Sequence, residues 1–205
     1  MRVTPTSDDS QMHDETTELA HALFISDPMR PIERDVVSTL VRFGAGPLAY
    51  AGSAAMRVVL LASAEHYAHA SAALTRLGID VDAWPSPPAG LFVVEERTVY
   101  LRSRSPMTVA HEFAHALDCA LGCGVYRSGV DPRVRTLFGN APAFVTPYAA
   151  TGVDEYFAES IRAYVEINDP ASLWPRATRR RLLRIDPDMH DYVDTIFRTE
   201  FSLAA

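Results

Sequence analysis

Three residues within Ser105–Gly122, SPMTVAHEFAHALDCALG, have the types and the spacing to do chemistry: His111, Glu112 and His115, in the order H-E-x-x-H. Residues four apart on an α-helix project from one face, one turn above each other. His111 and His115 can therefore offer two imidazole nitrogens to a single Zn²⁺ at about 2.0–2.1 Å. Glu112 follows the first histidine, so it can reach water at the metal without becoming a ligand, which is where a general base belongs. At ordinary residue frequencies a chain of this length carries H-E-x-x-H by accident on the order of once in a hundred cases. An accidental match has no reason to place apolar residues, here Phe113 and Ala114, at both intervening positions. Those two make the opposite side of the helix core-like.

Catalytic zinc usually takes three protein ligands and keeps one position open. A metzincin would continue with a glycine at position 118 and a histidine at 121, but the chain has Asp118 and Leu121. His190, in DMHDY, has no supporting pattern around it. The better candidate is DEYFAES, in which Glu155 and Glu159 are four apart and share one helical face. Glu155 could complete a two-His-one-Glu set, and Glu159 could orient a ligand imidazole through its second nitrogen. A solvated acidic face is the bland alternative. Tyr156, Phe157 and Ala158 between the two glutamates argue for burial instead, and buried carboxylates need partners.

At these residues the sequence resembles the catalytic domain of anthrax toxin lethal factor and the related Pro-Pro endopeptidases. The resemblance covers HEFAHALD and PYAATGVDEYFAESIRAYV, and more loosely the helices that follow. In that family H-E-x-x-H is followed, after a substantial insertion, by a Glu in an E-[FY]-F-A-E-like helix, with a Tyr seven residues before that Glu. The resemblance implies His111, His115 and Glu155 as zinc ligands, Glu112 as the base and Tyr148 as a donor to the oxyanion. Asp118 matches the acid that the family tends to place three residues after the second histidine. The fold it implies is an α+β, zincin-like (gluzincin-like) metallopeptidase domain with a small sheet, an H-E-x-x-H helix and a helical C-terminal part. The N-terminal third carries no matching motif.

The elements that must hold these residues are legible around them. Ser105 can cap a helix whose first residue is Pro106, which runs to Leu121 and stops at Gly122. Before it, GLFVVEERTVYLRS reads as two short strands, Leu91–Val94 and Thr98–Arg102, with EER at the bend. Met56–Ser63 is an apolar run that suits a buried strand, and SAEHYAHASAALTRLG reads as one helix capped by Ser63 and stopped by Gly78. His66 and His69 on it, like His21 upstream, read as surface or packing residues. ETTELAHALF and DPMRPIERDVVSTLVRFG suit helices, the second with Pro31 near its start and Gly44 past its end. After Gly122, a mostly irregular connection with one helical turn after Asp131-Pro132 leads to TGVDEYFAESIRAYVEINDP, a strong helix. DPASLWPRATRRRLLRI and DPDMHDYVDTIFRTEF follow as helices opened by Asp-Pro.

A chain of 205 residues with 48% hydrophobic content buries one good core, not two. Residues 1–16, polar and without periodicity, read as a disordered tail, and 17–205 as a single domain. The net charge of −7 disfavours non-specific nucleic-acid binding, which needs a basic face, and would steer a basic peptide favourably. No apolar run approaches the roughly 20 residues of a membrane span. The start has no apolar signal region, so residence is expected in the cytoplasm or after a non-standard export route. Cys119 and Cys123 are too few for a disulfide framework and read as small core residues rather than a metal pair. Every basic residue other than His is Arg. A lysine-free chain would suit a toxin or effector that evades ubiquitination, though biased genome composition explains it more cheaply.

The leading expectation is a zinc-dependent endopeptidase acting on a protein or peptide in extended conformation, added to a sheet edge from either Leu91–Val94 or Thr98–Arg102. The WPSPPAG loop could border the cleft. Two alternatives stand beside it: a non-catalytic binding or regulatory module on the same fold, and a zinc hydrolase of a non-peptide amide. Substrate identity and oligomeric state have no signature in the sequence.

Overall fold

The computed structural model describes residues 7–25, 33–173 and 176–202. Its architecture is α+β, with a three-stranded sheet set among helices. Ahead of the sheet come α1 (Ser7–Ala22), α2 (Arg34–Val41) and α3 (Ala45–Ser53). β1 (Arg57–Leu60) is followed by the short helices α4 (Tyr67–Ala70) and α5 (Ala72–Leu77), then β2 (Gly90–Val93) and β3 (Thr98–Leu101). The long helix α6 spans Pro106–Leu121, α7 Arg127–Val130 and α8 Pro132–Asn140, with a 3₁₀ turn at Tyr148–Ala150. α9 (Val153–Tyr164), α10 (Arg179–Ile185) and α11 (Pro187–Thr199) complete the described chain.

β3 lies in the middle of the sheet, parallel to β1 and antiparallel to β2. The main core lies between the sheet and α6 and among the flanking helices, and includes Phe92, Val99, Phe113, Leu117, Phe157 and Ile161. A smaller cluster on the other face of the sheet joins Val59, Val93 and Tyr100 to Tyr67 and Leu74. α6 is buried along most of its length because its apolar residues pack towards α9, α2 and the sheet together. No helix among the described residues is long and apolar enough to cross a membrane.

Several expectations need correction. Residues 7–16 are not an unstructured tail: α1 begins at Ser7. Its later turns are anchored by the buried Thr16 and Ala20, and a helix started on such an anchor extends at little further entropic cost. Residues 1–6 lie outside the described residues, as does Pro31. The segment after Ser63 forms two short helices rather than one, because Ser71 is extended and accepts the Leu74 N–H as a new cap, whereas Gly78 does end the second in the left-handed conformation. The connection after Gly122 contains two helices, α7 and α8, the latter capped by Asp131 with Pro132 in its first turn. α10 starts after Thr178, whose side chain caps it, rather than at Asp169-Pro170. Asp169 instead accepts the Ser105 hydroxyl at 2.8 Å, so Ser105 starts α6 without making a side-chain cap bond. Cys119 is buried as expected, but Cys123 is exposed, with φ 57° in the turn after α6.

Candidate metal centre

α6 and α9 pack against each other, and their facing sides carry the motif residues. His111 Nε2 and His115 Nε2 lie 3.1 Å apart. Glu155 Oε2 stands 3.0 Å from the first and 3.3 Å from the second. Donors held about 2.0–2.1 Å from one ion at tetrahedral angles are separated by about 3.3–3.4 Å, so this near-equilateral triangle fits a zinc-sized cation. Although two ring nitrogens are nearby, Glu155 Oε2 is buried with no hydrogen-bond partner. A buried carboxylate oxygen without a donor is costly, and a cation at the triangle would satisfy it. His111, His115 and Glu155 are thus the residues that could hold a metal.

Electrostatics agree with the geometry. Burial disfavours a charged His111 ring, but the Glu155 and Glu159 carboxylates beside it outweigh that and lift its pKa to about 10. Burial likewise opposes charge on Glu155, yet the His111 and His115 rings beside it bring its pKa down to about 2. The shifts run in opposite directions, towards a cationic ring and an anionic carboxylate. The pocket favours positive charge, which a divalent cation supplies more fully than a proton.

Glu159 lies against the first histidine. Its Oε1 lies 3.0 Å from His111 Nδ1, leaving Nε2 to face the triangle. The same carboxylate accepts two bonds from the Arg162 guanidinium, at 2.8 and 2.7 Å, and one from the Thr146 hydroxyl at 2.6 Å. Burial works against its charge, and Arg162 and His111 overcome that and hold its pKa well below the usual carboxylate range. His115 has no counterpart: its Nδ1 is buried without a partner. Its ring is fixed by packing, with the Tyr126 ring 5.5 Å away. Asp118, three residues on, does not orient it. Asp118 instead accepts the backbone N–H and hydroxyl of Ser128, at 2.8 and 2.5 Å, and ties α6 to α7.

Arg162 and Thr146 were not singled out in the sequence. Arg162 lies three residues after Glu159 on one helix, a spacing that pairs side chains and could have been read. Thr146 comes from the irregular connection, where nothing in the sequence signals its role. Its hydroxyl oxygen also accepts the Ala149 N–H at 3.2 Å, which links Glu159 to the 3₁₀ turn carrying Tyr148.

Removing one partner of this buried set exposes its importance. Arg162→Leu leaves Glu159 buried beside an unfilled donor position and should cost about 3–5 kcal/mol of stability, read by chemical denaturation. A loss within about 1 kcal/mol would show that water replaces the guanidinium. Glu159→Gln should weaken zinc affinity about 10–100-fold in competition with a chelator. Unchanged affinity would remove Glu159 from any role in orienting His111.

Tyr148 sits at the mouth of the site, 40% exposed, with its ring centroid 5.3 Å from that of His111. Its hydroxyl donates to Glu155 Oε1 at 3.1 Å. Glu112 is buried and lines the same cavity as His111, and burial raises its pKa despite the opposing influence of the two histidines. A cavity of about 290 Å³ opens beside these groups. Pro88, Ala89, Met107 and Thr108 form its walls, with Glu112 and Tyr148 among the residues at its polar side. The end of the WPSPPAG segment therefore borders the cleft.

His66 and His190 are not brought here. His190 packs near Tyr164 and contacts Asp191. His66 lies with Asp80 and Asp82 in a second group with donor atoms within 4.8 Å of one another. There the Arg102 guanidinium already bridges to Asp82 and supplies the positive charge, and His66 is largely exposed.

No protein-family model matches this chain, and no curated protein matches it.

Proposed function

We propose that this chain is a zinc-dependent endopeptidase with a zincin-like fold, in which His111, His115 and Glu155 hold the metal. The observation that carries the reading is the donor triangle with Glu112 beside it on the same helix. A metal that only braced a fold would need no buried carboxylate next to its ligands. Bound there, Zn²⁺ supplies Lewis acidity towards water and a peptide carbonyl. Glu112 takes the proton of the attacking water and returns it to the leaving amine, a role that its raised pKa suits. Tyr148, released from Glu155, donates its hydroxyl to the oxyanion of the tetrahedral carbon. Glu159 keeps the proton of His111 on Nδ1.

Substrate binds extended along the sheet. β3 is the central strand, so Thr98–Leu101 offers no edge, and the outer side of β1 is bridged at Val58 by Phe24. That narrows the choice to β2, whose Gly90 also lines the cavity. A peptide laid against this edge by main-chain bonds would send one side chain into the cavity. Pro88, Ala89 and Met107 make the wall away from Glu112 apolar, which favours an apolar residue there.

Metal analysis of the purified protein followed by digestion of a diverse peptide library tests the reading. The expected result is about one zinc per chain and cleavage that stops on chelation and returns with zinc. Stoichiometric zinc with no cleavage of any peptide would favour the non-catalytic module or a different amide substrate.

A further inference from the structure

β2 alternates its faces. Leu91 and Val93 turn to the smaller cluster, while Phe92 packs into the main core. Gly90, two residues from Phe92, faces α6. Its backbone is not in the left-handed region, which among the described glycines is occupied by Gly44, Gly78 and Gly124. Conformational freedom is therefore not what glycine supplies at this position. Space is. A Cβ at Gly90 would stand 2.5 Å from Glu112 Cγ, 2.9 Å from Thr108 Cγ2 and 3.1 Å from Glu112 Cδ. Packed carbon atoms meet at about 3.5–4.0 Å.

We propose that Gly90 is a positioning residue for Glu112: lacking a side chain at this register, β2 can lie on α6 while the Glu112 stem occupies the space a Cβ would fill. Neither partner can retreat freely. β2 is held by its register with β3, Leu91 opposite Tyr100 and Phe92 opposite Val99, and by burial of Phe92. Glu112 is 9% exposed and has its helix neighbour Thr108 on the same side. Any larger residue at 90 must turn the glutamate stem or lift the strand, and turning the stem moves the carboxylate away from the donor triangle. The strand proposed to align the substrate thus also seats the base.

The consequence for turnover rests on the peptidase reading, whereas the contact itself does not, so the two are tested separately. The contact is tested by a double-mutant cycle on the melting temperature of the zinc-loaded protein, using Gly90→Ala, Glu112→Ala and the pair. Gly90→Ala should lower the melting temperature by about 5 °C with Glu112 present. The drop should be less than half as large once residue 112 has no Cγ. Equal drops in both backgrounds overturn the contact. Should Gly90→Ala fail to fold with Glu112 present, recovery of folding in the pair supports the contact, and failure of both overturns it.

The consequence is read from steady-state kinetics with zinc content measured on the same samples. Gly90→Ala should lower kcat about 10–10²-fold with KM near wild type, because displacement by about an ångström costs that much. Thr108→Ala added to it removes the second close contact and should restore part of kcat. Wild-type kcat in the Gly90→Ala chain overturns the positioning role, as does a loss that tracks zinc or appears only in KM. If the wild type cleaves no peptide, the peptidase reading fails, and the stability cycle still decides whether Gly90 seats Glu112.

Discussion

Glu112→Gln will keep its zinc and its fold and lose about 10²–10⁴-fold in peptide turnover, whereas His115→Ala will lose the metal and the activity together. The two variants separate chemistry from binding because one residue belongs to the donor set and the other does not. Glu112 contributes no atom to the triangle of His111, His115 and Glu155. An amide at 112 has nearly the same volume and fits the same buried space, but it cannot take a proton from water. His115 provides one of three donors, and its Nε2 is 3.1 Å from its partner on His111. Taking it away leaves two donors and an unneutralised Glu155. Metal content by elemental analysis, thermal melting and kcat on one cleaved peptide are the three readouts. A glutamine variant that turns over at the wild-type rate would take the base role from Glu112, and a His115→Ala chain with full zinc would place the metal elsewhere.

Tyr148→Phe will depress kcat by about 10²–10³-fold while zinc content and peptide KM stay near wild type. Phenylalanine fills almost the same volume, so a tyrosine that only packed would show little effect. The starting geometry makes the experiment informative. The hydroxyl donates to Glu155 Oε1, and burial with that carboxylate nearby raises its pKa, so it is a protonated donor across the neutral range. It lies close enough to the donors to turn from the glutamate to a substrate oxygen without moving its backbone far. Glu155 would lose one hydrogen bond in the Phe variant, and that loss falls on zinc affinity rather than on kcat. A fall in zinc content with unchanged kcat per zinc would therefore assign Tyr148 to holding Glu155 rather than to the oxyanion.

How much of this was legible beforehand differs from element to element. α6 was read residue for residue, from Pro106 to Leu121, because both of its ends carry local signals and its middle carries a period. Short-range chemistry set those boundaries. The same logic failed after Ser63, where two short helices replaced one, since Ser71 offered a second cap whose hydroxyl donates to Glu96 of the neighbouring hairpin at 2.6 Å. It failed again at α7 and α8, which depend on Asp118 and on packing against α9 that lies far along the chain.

The candidate site divides in the same way. Helical spacing alone put His111 above His115, and Glu155 above Glu159, because a 3.6-residue period is a property of the backbone. What spacing could not decide is that these two faces meet, forty residues apart in sequence, with three donor atoms within 3.0–3.3 Å of one another. Nor could it show that Thr146 and Arg162 hold Glu159, or that β3 is the central strand and β2 an edge. Gly90 is the sharpest case. In the sequence it is a glycine opening an apolar strand, and in the fold it stands where a Cβ would collide with Glu112. Local sequence sets which atoms a helix or strand presents on a given face. Which faces touch is settled by burying the most apolar surface at once, and that is a property of the whole chain.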